Sequence, residues 1–527
     1  MTRKLIAVLL SVALLSMGWL GLSGLPLLVA FVPLLWISAE AENSRRGWWS
    51  TFRWALLAFV LWNVATIWWI WNATPVGPVA ATLFSTFWNM VAFMSFHTVL
   101  KKGPKALAYT LFVAGWIATE YLYTNSSFSW PWLTLGNGFS HDIWAVQWYE
   151  WTGVFGGSLW VLVANLHLFE AWQQQRTRQW VKAAMVIILP LAVSLGLWWS
   201  YEPANEGSVR VSILQPNVDC YEKFHGDNRA QLNNIHQLLN EVPDSVDFIL
   251  LPETAMPGYY WEPHLSDYHY PPMMSSVWRQ LADSLFTRHP EAMLVTGANT
   301  RRYYPNGPAT STARPYGQMG AYQDIYNTAV GLNTDGLPQL HHKGKLVIGV
   351  EQTPTWIFRA LRFLVIDLGG TLGQLGVGKE GTAFNHNDTK IGPAICYEGV
   401  YGDFFGDHVR KGAQLMAILS NDGWWGDTPG YRHLFSISRL RAIEHRRAVV
   451  RSANTGRSGF ISARGEVSGT MEWEERGVLT EEVELRNAQT LYTRYGDYVG
   501  RLALYLSLLC IFYYIAYRVK RRNYLVN

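Results

Sequence analysis

The chain has 527 residues, with 43 Lys and Arg against 39 Asp and Glu, a net charge of +4, 49% hydrophobic residues and 27 tryptophans. Its mean hydropathy is only +0.03, which excludes a purely soluble and a purely integral chain and predicts a membrane part joined to a water-exposed part. The positive charge gathers at the ends of apolar runs and gives no reason to invoke nucleic acid.

Long, almost uncharged runs occupy residues 5–20, 22–37, 54–71, 79–100, 106–122, 153–169, 183–200 and 502–517. A bilayer core takes about 20 mostly apolar residues per helix, so roughly eight spans are expected, the first two being the shortest. Arg3 and Lys4 precede the first run as in a secretory signal. No small-residue cleavage site follows, and a second apolar run starts at once, so an uncleaved helix is expected. Basic residues flank alternate span ends: Arg3 and Lys4, Arg45 and Arg46, Lys101 to Lys105, Arg176 to Lys182, and Arg518 to Arg522. The opposite loops, 72–78 and 123–152, contain neither Lys nor Arg. The positive-inside rule then puts both termini in the cytoplasm and the block between the last two runs outside it. The expected domains are a seven-span membrane domain at 1–200, an exported domain at 201–501, and a final span with a basic tail at 502–527.

The exported block alternates strand and helix. Apolar strand-like runs at 209–214, 248–251, 293–296, 328–332, 390–395 and 415–419 each close on polar residues, and helical periodicity marks 228–239 and 432–449. This pattern predicts a layered α/β fold whose chemistry sits where strand ends converge. The block holds two cysteines, Cys220 and Cys396; two alone make no disulfide framework, and Cys510 in the last run is expected to face lipid.

Three strand ends carry reactive side chains. Glu253 follows DFILLP, Lys343 lies in LHHKGKLVIGVEQTP, and Cys396 follows KIGPAI. A thiol needs a base and a nearby cation before it attacks anything, and a carboxylate and an ammonium supply both. The ammonium can also hold an oxyanion. Spacing alone leaves open that these are unrelated surface charges and a structural thiol. His341, His342 and Lys343 are adjacent and lack the spacing of a zinc site, so no metal is expected.

The segments LLPETAMPG, HHKGKLVIGVEQTP, ICYEGVYGD and SNDGWWGDT, with YNTAVGLNTDG before the lysine, resemble the signature blocks of the nitrilase, or carbon–nitrogen hydrolase, superfamily. That resemblance implies an α-β-β-α sandwich and a Glu-Lys-Cys triad. Such a domain set between the last two spans resembles the bacterial apolipoprotein N-acyltransferase family over essentially the whole chain. Carried over, Glu253 matches the general base, Lys343 the oxyanion-stabilising lysine and Cys396 the nucleophile. Glu351 matches a second essential acid, and Tyr397 and Glu398 the pair after the nucleophile. Each has a bland alternative: Glu351 as an exposed loop acid, Tyr397 as core packing, and Glu398 as an ion-pair partner of Arg441 or Arg446. Where the family has Pro-Phe-Gly-Glu after the lysine, this chain has Ile348-Gly349-Val350-Glu351, so the acid is retained but the loop shape does not follow.

Apolar features favour a lipid substrate. Trp356 opens WIFRALRF, a segment suited to the bilayer interface, and Trp424 and Trp425 occupy a loop that the resemblance makes a mobile arm over the site. The uncharged aromatic loop 126–139 is suited to headgroup depth. The family resemblance implies acyl transfer from a phospholipid, usually phosphatidylethanolamine, through a Cys396 thioester to the α-amino group of a diacylated apolipoprotein. It further implies no cofactor, and residence in the bacterial cytoplasmic (inner) membrane. Two other readings share parts of the pattern: a membrane-tethered amidase using water as acceptor, and a transporter with an exported receptor domain. For the transporter the runs offer only His97, Glu120 and His167 as ionisable groups, all near span ends.

Overall fold

The computed structural model describes residues 1–202, 206–262, 276–317, 320–334, 338–348, 350–352 and 374–526. It divides into two compact units, Met1–Tyr201 with Thr490–Asn527, and Glu202–Gln489. The expected architecture, an apolar helical domain plus a nitrilase-type α/β domain, is the one the chain adopts, with the number of spans approximate.

In the helical unit, six helices among the described residues are long and apolar enough to cross a membrane: Thr2–Trp19, Arg45–Asn72, Gly77–Lys102, Val154–Gln174, Thr177–Trp199 and Tyr498–Asn523. The run at 106–122 forms a further helix, Lys105–Thr124. The run at 22–37 is not one continuous span but two short helices, Leu27–Ala30 and Val32–Glu40. Pro33 lies in the first turn of the second, where its missing N–H and fixed φ suit a helix start and prevent continuation of the first. Asn165 bridges the break, accepting from the Phe31 N–H at 2.7 Å and donating to the Leu27 carbonyl at 2.7 Å. Two expectations are corrected here. The aromatic stretch 126–139 is not a surface loop throughout: residues 131–139 are buried and run largely in 3₁₀ turns, with the Trp19 indole donating to the Trp132 carbonyl at 3.0 Å. Cys510 is buried rather than lipid-facing. Glu120 is buried as well, its Oε1 accepting from the Leu135 N–H at 2.9 Å and from the Trp116 indole at 3.1 Å. A carboxylate tied so closely to its own neighbours is a structural group rather than part of a path.

The second unit contains fourteen described strands in two sheets. The first sheet has the order β14-β1-β2-β4-β6-β5, with β3 joined to β4 and β7 to β6. Its strands are β1 (Ser208–Gln215), β2 (Phe248–Leu250), β3 (Met256–Trp261), β4 (Met293–Tyr304), β5 (Arg314–Tyr316), β6 (Ala321–Leu332), β7 (Gln339–His342) and β14 (Gly477–Glu484). The second has the order β13-β12-β11-β10-β9-β8: β8 (Phe384–His386), β9 (Thr389–Ile395), β10 (Leu415–Ser420), β11 (Val449–Ala453), β12 (Ser458–Ile461) and β13 (Val467–Met471). The centre of each sheet is parallel, which is why β2, β10 and β11 are buried along their whole length rather than on alternate residues. β1 packs on β11 and β6 on β9, so the sheets are stacked face to face. Ser452 sews them together, donating from β11 to the Leu214 carbonyl of β1 at 2.9 Å. Helices cover the outer faces. Asn228–Glu241 and Ser276–Arg288 close one core with Ile235, Leu238, Leu281 and Leu285, and Gly402–Arg410 and Pro429–His445 close the other with Phe405, Val409, Phe435 and Ala442. This is the α-β-β-α sandwich, and it brings the carboxyl ends of β2, β9 and β10 to one end of the stack.

Gly297 in β4 shows how tight that end is. A Cβ there would lie 2.3 Å from the Thr254 nitrogen, 2.6 Å from the Glu253 Cα and 2.7 Å from the Pro252 oxygen, all backbone atoms that cannot step aside. Gly297→Ala is therefore expected to cost about 1–3 kcal/mol through overpacking and to displace Glu253. A lowered midpoint in thermal denaturation checks this; an unchanged midpoint refutes it.

Candidate active site

Cys396 is delivered by the apolar strand β9, whose register with β10 sets Ile395 opposite Leu419. Cys396 and Ser420 therefore leave the sheet side by side. The chain turns sharply at the cysteine, which sits at φ +49°. A non-glycine residue in the left-handed region costs of order 1–2 kcal/mol, and the Cys396–Val400 turn that follows leads the chain straight away from the strand. Thr254, beside Glu253, adopts the same region at φ +48°. Two left-handed residues adjoining two reactive groups are the kind of strain that surrounding structure must hold in place.

Lys343 is the hub. Its ammonium is 1% exposed and lies 2.8 Å from Glu253 Oε1 and 2.8 Å from Glu351 Oε1. Asn327, from β6, bridges the same acids, donating to Glu253 at 2.7 Å and to Glu351 at 3.2 Å. The second oxygen of Glu351 accepts from the Val347 N–H at 2.8 Å, so the acid is locked into the site although the loop around it departs from the family pattern. Burial pushes the Lys343 ammonium down, but Glu253, Glu351 and Cys396 outweigh it and hold the amine above its usual range. Burial and then the Glu253 carboxylate push the Cys396 thiol well above its usual range, with Lys343 pulling the other way. The resting thiol is protonated beside a carboxylate able to take its proton, an arrangement for general-base activation rather than for a preformed thiolate.

The residues after the cysteine fix the turn. Glu398, fully buried, accepts from the Gly344 N–H at 2.5 Å and the Ile395 N–H at 2.6 Å, and pairs with His341 Nε2 at 3.0 Å. It thus staples the backbone beside Lys343 to the backbone beside Cys396. The partner is His341, not Arg441 or Arg446: Arg441 pairs with Glu444 at 2.9 Å, and Arg446 donates to the Ala463 carbonyl at 3.3 Å. Tyr397 is buried and packs edge-on against Tyr401, with ring centroids 5.3 Å apart. Trp424 and Trp425 are half-buried in the turn Asp422–Trp425, Trp424 lying edge-on to Tyr221 at 5.3 Å. Trp356, with the whole of the 356–363 segment, lies outside the described residues. All three cysteines are free, so Cys220 and Cys396 are not paired.

Several residues escaped the sequence reading. Asn327 stands in the YNTA segment before the lysine, where the motif signals a strand but not a bridging amide. Below the cysteine, buried Arg451 holds Asp422 through two 2.9 Å contacts and Ser420 at 2.9 Å, and Ser420 in turn donates to Asp422 at 2.6 Å. Lys223, buried, donates to the Glu253 carbonyl at 2.7 Å; burial lowers it to about 8 against the opposing pull of Glu253 and Cys220. His341, Glu398 and His408 form the one grouping among the described residues with metal-ligand chemistry, their donor atoms within 4.8 Å of one another. Glu398 is already committed to two amides and a histidine, so the geometry is that of a hydrogen-bonded staple.

Comparison with known proteins places this architecture. The sequence model of the carbon–nitrogen hydrolase family matches residues 210–492, more than half of the chain. The chain belongs to the carbon–nitrogen hydrolase family. A second model, the apolipoprotein N-acyltransferase N-terminal domain, matches residues 6–167. Among similar proteins, the apolipoprotein N-acyltransferase of Chlorobaculum tepidum is 29% identical over 496 residues, covering 90% of this chain and 89% of its own. That of Gloeobacter violaceus is 25% identical over 527 residues, covering 93% and 89%. Of solved structures, yeast Nit3 of the nitrilase superfamily aligns at 18% identity with a TM-score of 0.37, covering 53% of this chain and 90% of its own. Within this carbon–nitrogen hydrolase domain, the Glu398 staple sets a pH dependence. Burial alone would raise the Glu398 carboxyl, but His341 outweighs it and holds the group below its usual range. With the folded value depressed, the unfolded state binds more protons in that window, so stability rises with pH there. The carboxylate's contribution is complete above the ordinary carboxylate range and is lost as pH falls through the folded value. Glu398→Gln should cost about 3–5 kcal/mol at neutral pH, and its deficit in thermal midpoint should shrink on acidification. A deficit that is constant down to the acid limit would remove the charge from this account.

Proposed function

We propose that the protein is an apolipoprotein N-acyltransferase, moving an acyl chain from a phospholipid through a Cys396 thioester to the α-amino group of a diacylglyceryl-modified N-terminal cysteine. The observation that carries this reading is a buried Glu253–Lys343–Glu351 cluster acting on Cys396 in a chain whose N-terminal region matches the acyltransferase family's own membrane domain. An amidase would need the first of these features but not the second.

Glu253 takes the Sγ proton as the sulfur attacks the ester carbonyl. Lys343 and the Tyr397 N–H hold the resulting oxyanion. Protonated Glu253 returns its proton to the departing oxygen, releasing a lysophospholipid. In the second half the acceptor amine attacks the thioester, Glu253 takes the amine proton and passes it to the leaving sulfur, and an amide and free thiol result. Dividing the transfer through a thioester lets one site serve two large lipids in turn. Glu351 and Asn327 orient the lysine and the base, and Tyr397 and Glu398 shape the turn that presents the sulfur. Phosphatidylethanolamine is the donor and Trp356, Trp424 and Trp425 line lipid access in this reading. Basic residues at alternate span ends support cytoplasmic termini and a catalytic domain on the periplasmic side of a bacterial inner membrane.

Mass spectrometry of the intact protein after incubation with phospholipid alone tests this. An acyl adduct on Cys396 is expected, absent in Cys396→Ala and formed about 10²–10⁴-fold more slowly in Glu253→Gln. Full N-acylation of lipoproteins by Cys396→Ala membranes would sink the assignment of the nucleophile.

A further inference from the structure

The two faces of the first sheet are chemically distinct near the triad, and strand register shows which residues share a face. In the antiparallel β4–β6 pair, Asn299 stands opposite Asn327, and Arg301 opposite Ile325. In the parallel β3–β4 pair, Tyr259 is in register with Asn299, and Trp261 with Arg301. Residues facing one another in register point to the same side of a sheet. Asn327 contacts Glu253 and Glu351, so this side is the side of the triad. The opposite side carries a closed polar network in which Glu262 accepts from Thr300 at 2.7 Å and Arg302 at 2.8 Å and meets His342 at 2.5 Å.

Moving along the triad side away from Lys343, the first feature is apolar: Ile325, Leu346 and Leu375 pack together with Tyr259 against them. The next is Arg301. Its guanidinium carbon stands 4.5 Å over the Tyr259 ring and 5.8 Å over the Trp261 ring. Trp261 is braced by Tyr316, with ring centroids 5.1 Å apart, and by Tyr303 at 6.4 Å. Both rings therefore bear on the guanidinium through cation–π contact, which engages none of its N–H donors in a hydrogen bond. Arg302 next to it is neutralised by Glu262, but Arg301 makes no ion pair among the described residues, and its Nε is buried without a hydrogen-bond partner. A half-buried guanidinium packed on two aromatic rings, with donors unused among the described residues, matches an anionic ligand presenting two oxygens, above all a phosphate. Arg301 lies two residues beyond the Asn299–Asn327 level, about 7 Å along the strand. The glycerol linkage of a glycerophospholipid spans such a separation between its ester carbonyl and its phosphate.

We propose that Arg301, clamped by Tyr259 and Trp261, is the phosphate subsite for the acyl donor, so that the enzyme selects glycerophospholipids by their phosphodiester and sets their ester carbonyl over Cys396. This rests on the phospholipid-donor reading of the same site. The subsite gives the donor half-reaction a charge requirement that the triad itself lacks.

The test compares full-length wild type, Arg301→Lys and Arg301→Gln for the rate of Cys396 acylation from two donors. One is a diacyl glycerophospholipid and the other a p-nitrophenyl acyl ester, which has no phosphate. Arg301→Gln is expected to lower kcat/KM for the phospholipid about 10–100-fold, mostly through KM. Arg301→Lys should recover part of the loss, since it restores the charge but not the fork. Both variants should acylate from the phosphate-free ester at the wild-type rate, which also reports that they are folded. Equal losses on both donors would make Arg301 a packing residue and overturn the subsite. So would an unimpaired phospholipid rate in Arg301→Gln. A wild type that is acylated by the ester but never by phospholipid would instead overturn the donor reading itself, and the subsite with it.

Discussion

One buried ammonium organises the end of the α/β unit that carries the candidate active site. Lys343 arrives just beyond β7 with almost no exposure, and a charge so placed persists only if it is paired. Two carboxylates supply the pairing, Glu253 from the end of β2 and Glu351 from the loop after the lysine, and Asn327 from β6 fills the remaining position between them. Each group is satisfied only when the others are in place, so three separated segments must converge before any of them is stable. The same constraint sets the electrostatics at the cysteine. The Glu253 carboxylate, fixed by lysine and asparagine, is also the strongest charged influence on the Cys396 thiol.

Around that hub the protein uses buried polar contacts as fasteners. Glu398 ties the backbone at Gly344 to that at Ile395, so that lysine and cysteine, from opposite sheets, keep a fixed separation. Arg451, Asp422 and Ser420 form a second buried cluster at the end of β10, next to the cysteine in register. Gly297 allows the backbone at Glu253 to lie directly on β4. These contacts are costly to bury and useful for geometry: they maintain left-handed backbone at Cys396 and Thr254 that an isolated chain would abandon. Arg301 differs from them in making no ion pair among the described residues and resting only on aromatic rings, as the proposed phosphate subsite requires.

Much of the fold was legible because it rests on local signals. Apolar runs with basic flanks mark the helices, and buried strands closing on polar residues mark the parallel centres of the two sheets. The failures were equally local in origin. The run at 22–37 contains Pro33, whose effect on helix continuity outweighs the hydropathy average. The tryptophan-rich stretch 126–139 looked like an interface loop because aromatic residues suit headgroups and protein cores alike. Only packing distinguishes the two, and residues 131–139 are in the core.

The sequence by itself determined the inventory: an apolar helical part, an α/β part, and a glutamate, a lysine and a cysteine at strand ends, in segments characteristic enough to identify the family. Those properties are carried by composition, periodicity and short motifs, none of which needs long-range contact. Tertiary structure alone decided the partnerships. That Glu398 meets His341 rather than an arginine, that Asn327 bridges two acids, that Lys223 lies behind Glu253, and that Arg301 shares the triad's side of the sheet all depend on strand register and on stacking of two sheets. A one-residue change of register would reverse every side chain in a strand. No motif encodes that choice locally; the burial of both sheets fixes it for the whole domain at once.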